Sequence, residues 1–82
     1  MTVVNNTNVN IAIRGNIIKP NERHDFCETG FCTLDIHSDI GSCYIVTEYG
    51  KRYITNYGKL VAKEGRKKDK DGMRQIIVNT LE

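Results

Sequence analysis

The chain predicts an all-β fold: a small single domain, 1–82, built as a sandwich or barrel of six to seven short antiparallel strands, with a β-meander in its second half. Three observations predict it. Apolar and polar residues alternate with a period of two over several stretches, and no segment keeps a helical stripe for ten residues. Turn-forming glycine, asparagine and aspartate separate the stretches.

Val9, Ile11 and Ile13 fall on one face of the first stretch, with Asn10 and Ala12 on the other. Gly15-Asn16 then predicts a turn into Ile17-Ile18-Lys19, and the single proline, Pro20, ends that strand or marks it as an edge. Residues 31 to 36 alternate again, placing Cys32, Leu34 and Ile36 opposite Phe31, Thr33 and Asp35. After a turn at Asp39, Gly41 and Ser42 come four further stretches: Cys43 to Glu48, Lys51 to Asn56, Lys59 to Glu64 and Met73 to Thr80. All are rich in β-branched and aromatic residues. The unit Thr-x-Tyr-Gly-Lys occurs at 47–51 and again at 55–59. Each Tyr-Gly predicts a hairpin turn, the first setting Glu48 opposite Lys51 and Val46 opposite Tyr53, the second setting Ile54 opposite Val61.

A domain of 82 residues withdraws only about 60 to 65% of its unfolded surface from water, so its core is thin. Ten isoleucines still supply enough bulk for independent folding. Three cysteines cannot all pair internally, and no N-terminal stretch resembles a signal peptide. The expected compartment is therefore a reducing cytoplasm. Asn5-Asn6-Thr7 matches a glycosylation sequon that such a compartment would leave unused. No apolar run approaches the roughly 20 residues that span a bilayer, so no membrane partner is expected. The net charge of +2 hides an asymmetry: residues 1–50 hold three bases and six acids, residues 51–82 nine bases and four acids. Such a dipole steers a charged partner to one end.

His24, Cys27, Cys32 and His37 are spaced like the ligands of a small zinc site. Alternation argues against it. With Glu28-Thr29-Gly30 as a three-residue hairpin loop, Phe26 faces Cys32 and His24 faces Leu34, while Cys32 and His37 fall on opposite faces of one strand. Zinc ligands must converge at about 2.0–2.3 Å, so neither a metal nor any other cofactor is expected. Cys32 and Cys43 read as small buried residues, and the acids around Cys27 disfavour a reactive thiolate.

No catalytic signature is present: Ser38 and Ser42 lack a nucleophile-elbow context, there is no phosphate-binding glycine loop, and the thin core leaves little room for a pocket. The expectation is a small non-enzymatic protein that works by protein–protein interaction, in the manner of a phage or bacterial accessory protein that inhibits a larger target. The segment Gly65 to Gly72 reads as a basic hairpin loop. The expected binding surface is Arg66, Lys67, Lys68 and Lys70 with Tyr49 and Tyr57. Nucleic-acid binding by the same surface is the first alternative, since bases meet phosphates and tyrosines stack on bases. Homo-oligomerisation through exposed strand edges is the second.

Overall fold

The computed structural model describes residues 1–26, 31–48, 51–69 and 72–81. Among them run nine strands and no helix: β1 (Thr2–Asn5), β2 (Ile11–Ile13), β3 (Asn16–Ile18), β4 (Arg23–Asp25), β5 (Phe31–Ser38), β6 (Gly41–Glu48), β7 (Lys51–Gly58), β8 (Leu60–Lys68) and β9 (Arg74–Thr80). The chain is all-β, in two sheets. One has the order β4-β1-β9-β8 and the other β3-β2-β5-β6-β7. Their inner faces share one apolar cluster, to which the first sheet gives Val3, Leu60, Ile76 and Val78 and the second Ile11, Ile13, Leu34, Ile36 and Ile45. Each of these large side chains, once buried, contributes about 1.5–3 kcal/mol against the entropy lost in ordering the chain. No described helix is long and apolar enough to cross a membrane.

The alternation of β5 holds: Cys32, Leu34 and Ile36 are buried, while Asp35 and His37 are exposed. The meander holds for β5, β6 and β7, with Val46 opposite Tyr53 and Glu48 opposite Lys51. The Tyr49-Gly50 turn itself lies outside the described residues. The first hairpin turns one residue earlier than expected, at Arg14-Gly15, because Ile13 pairs with Asn16. Both turn residues have positive φ, 50° and 78°, the geometry of a type I′ turn.

Two further strands have weak sequence signals: β1 lies in a segment where no strand is expected, and β4 falls in the segment expected to pair with 32–34. β1 offers only Val3-Val4 between polar neighbours, and all three residues of β4 are exposed. They change the topology. β4 pairs with β1 in the four-stranded sheet, so the hairpin expected to join 24–26 to 32–34 does not form, and His24 faces Val3 instead of Leu34. β1 pairs with β9 in parallel, which departs from a purely antiparallel fold.

The second Tyr-Gly unit is not a hairpin either. β7 and β8 belong to different sheets, and Gly58, at φ 69°, turns the chain from one to the other. The corner is tight. Lys59 N donates to Ile40 O at 3.0 Å and Leu81 N to Lys59 O at 2.7 Å. On the β7 side, the Asn56 side-chain oxygen accepts from Ala62 N at 2.9 Å, linking the two sheets without a strand ladder.

At the other side of the molecule Asn5 ties the sheets together. Its side-chain nitrogen donates to Val9 O and Ile18 O, both at 2.9 Å. Its side-chain oxygen accepts from Thr7 N at 3.0 Å and Thr7 Oγ1 at 2.6 Å. Asn5 is fully buried, so in the folded chain the sequon nitrogen is out of reach of any modifying enzyme.

Candidate functional site

The first half of the basic stretch that reads as a loop is strand. β8 runs through Lys68, and the register slips between Glu64, opposite Ile76, and Lys68, opposite Arg74. Four steps on β8 therefore match two on β9. This bulge breaks the alternation that would send Arg66 and Lys67 to opposite faces. Gly65 permits it: a Cβ there would meet Ile77 Cδ1 at 2.8 Å. The turn after β8 closes on Asp69, whose N donates to Met73 O at 2.7 Å and whose carboxylate accepts from Met73 N at 3.0 Å. The carboxylate that dilutes the basic run in sequence is thus used in the turn.

Arg66 and Lys67 line a shallow concavity of about 430 Å³ on the outer face of the four-stranded sheet. A thin core does not preclude such a hollow, because an outer sheet face does not depend on core thickness. Its floor is apolar. Val4 on β1 pairs with Ile77 on β9, and both are half-buried. Arg23, opposite Val4 on β4, supplies a third cation, and Lys63 on β8 continues the row beyond Ile77. The amides of Asn6 and Gln75 also line it, and among the described residues the lining contains no carboxylate.

The expected surface is thereby divided. Lys68 lines a separate hollow of about 270 Å³ with Arg52, Glu64 and Arg74. There the Arg52 guanidinium donates to Arg74 O and lies 3.8 Å from the Glu64 carboxylate. Tyr57 stands on β7 in the other sheet, 62% exposed, facing away from the groove. Tyr44 and Tyr53, which have apolar neighbours in sequence, are exposed on that same sheet rather than buried. Lys70 and Tyr49 lie outside the described residues. Arg23 is the contributor that sequence reasoning misses, since 43 positions separate it from Arg66 and only the β4–β1–β9 pairing brings it there. No family model, curated protein or solved structure matches this chain.

The charge asymmetry now has a location. The strands of the four-stranded sheet carry six bases and two acids, those of the five-stranded sheet two of each. Arg23 on β4 adds a base from the acidic half of the chain.

Among the described residues, the groove lining holds no serine, threonine or cysteine. Cys32 and Cys43 are free and buried in the core, and Cys27 lies outside the described residues. Among the described residues no three His, Cys, Asp or Glu side chains are grouped to hold a metal ion. Cys32 accepts from the Arg14 guanidinium at 2.9 Å.

Burial pushes the Cys43 thiol up from 9.0 to about 11. The folded chain therefore keeps a proton that the unfolded chain releases, and stability falls as pH rises from about 9 toward 11. Cys43→Ala should flatten that part of the stability profile relative to the unsubstituted chain. Urea titrations of both across this range check it, and parallel slopes would count against the burial account.

Proposed function

We propose that this protein is a non-catalytic binding module whose cationic groove takes an acidic segment of a partner protein. The observation that carries this reading is the groove itself: Arg23, Arg66 and Lys67 around an apolar Val4–Ile77 floor, with no lining carboxylate among the described residues. These cations meet carboxylates of the partner, and the floor takes an intervening apolar side chain, which a purely electrostatic site has no need to offer. In this reading the two sheets form a sandwich that holds the groove rigid. The protein works in a reducing cytoplasm, where Cys32 and Cys43 remain thiols, and acts by occupying a surface of a larger target.

Nucleic-acid binding is the second reading, because the same cations suit phosphates. Against it, Tyr44, Tyr53 and Tyr57, which would stack on bases, stand on the other sheet. The two readings separate in one experiment. Fluorescence anisotropy would follow a labelled peptide of alternating glutamate and leucine and, separately, a short mixed-sequence oligonucleotide, at two ionic strengths. The peptide should bind, and the double reversal Arg66→Glu with Lys67→Glu should weaken it at least tenfold, roughly the 1.4 kcal/mol that corresponds to one decade. Tight oligonucleotide binding that falls steeply with salt would promote the second reading. Peptide binding indifferent to the double reversal would remove the groove from the mechanism.

A further inference from the structure

We infer that the outer face of the five-stranded sheet is a second docking surface, and that it takes an arginine-bearing segment of a protein partner. It is separate from the groove and does not depend on the reading given above. Three cross-strand rows build it: Thr33–Val46–Tyr53, Asp35–Tyr44–Thr55 and His37–Ser42–Tyr57. Tyr44 in the central row lies diagonal to both Tyr53 and Tyr57, a spacing of about 7–8 Å that aromatic side chains bridge. Tyr44, Tyr53 and Tyr57 are 42%, 56% and 62% exposed. In a chain with only six aromatic residues, three stand on one outer sheet face instead of filling the core. Tyrosine so displayed is the side chain most used to anchor protein interfaces.

The charge on this face says what it would hold. Asp35 is exposed, directly opposite Tyr44, and makes no ion pair among the described residues. By register the nearest base is Arg14, at the end of β2. Its guanidinium is turned along β5 to donate to Cys32 Sγ at 2.9 Å and Thr33 O at 3.1 Å. Lys51 is opposite Glu48, beyond the Thr33 row. A carboxylate beside a tyrosine ring suits a guanidinium, which stacks its plane on the ring while donating to the oxygens. An ammonium, a compact point charge with no plane to stack and no fork of donors, matches this pair less well, and a phosphate is repelled by Asp35.

The test is a titration of ¹⁵N-labelled protein with a glycine-spaced arginine peptide and with its lysine counterpart. Amide shifts should concentrate on β5, β6 and β7, with the arginine peptide binding at least fivefold more tightly. Asp35→Asn should weaken arginine binding at least fivefold, and the Arg66→Glu, Lys67→Glu double variant should leave it unchanged. Asp35 is exposed, so a native-like spectrum of Asp35→Asn verifies that folding is intact. Equal affinity for lysine, indifference to Asp35→Asn, or shifts mapping to the groove would overturn the inference. Concentration-dependent shifts of the same face in the protein alone would also overturn it, by showing that a second copy is the occupant.

Discussion

Gly41→Ala is expected to lower stability by about 3 kcal/mol or more, a large share of what a domain of this size possesses. A Cβ at this position would sit 2.2 Å from Tyr57 O and 3.0 Å from both Leu60 N and Lys59 N. All three are backbone atoms of the corner that carries the chain from β7 to β8, so no flexible side chain can move aside. Relief requires the two sheets to shift at their junction, with loss of the Lys59 N to Ile40 O hydrogen bond. Gly15→Ala is the control. Nothing lies within 4 Å of its added Cβ, and only its φ of 78° disfavours a side chain, a penalty of about 1 kcal/mol. Urea denaturation of both variants checks the contrast. Equal losses would mean that the β7–β8 corner is not closely packed.

Asn5→Ala is expected to cost about 3 kcal/mol. The side chain is fully buried and accepts and donates in balance, so its removal takes the side-chain donor from Ile18 O and the acceptor from Thr7 N, and leaves Val9 O only the Thr7 hydroxyl. An unpaired buried polar group costs about 1–3 kcal/mol, reduced where water can enter the space left behind. Asn5→Asp should be at least as damaging, because a carboxylate would face the two carbonyls that now receive N–H donors. Asn6→Ala removes only an exposed hydrogen bond to Asn79 and should cost under about 0.5 kcal/mol. If Asn5→Ala and Asn6→Ala prove alike in denaturant titrations, the tie between β1 and β3 is not what holds this end of the two sheets together.

Neither position announces itself in sequence. Asn5 reads as part of a sequon and Gly41 as an ordinary turn residue, because what makes them critical is the backbone that arrives from elsewhere. The site shows the same division. Arg66 and Lys67 are legible as neighbours in a basic stretch, but their placement on one face depends on the bulge opposite β9. Arg23 joins them only through β1, whose two valines are too short a run to declare a strand. The tyrosines are legible as a cluster in sequence, 44 to 57, and the sheet order then turns Tyr44, Tyr53 and Tyr57 away from the cations.

The two copies of Thr-x-Tyr-Gly-Lys draw the boundary between the kinds of information. The sequence by itself determined the all-β class, the buried face of β5, the free core cysteines and the register of the β6–β7 hairpin. Each follows from the alternation of neighbouring side chains or from a turn a few residues long. Only the tertiary structure decided that the first copy joins two strands of one sheet while the second crosses to the other. It likewise decided that β1 pairs in parallel with β9, and that bases from β4 and β8 share a groove. The physical reason is that sheet partners are joined by backbone hydrogen bonds, which every residue but proline offers alike. Which strand meets which is settled by what the whole chain can bury at once.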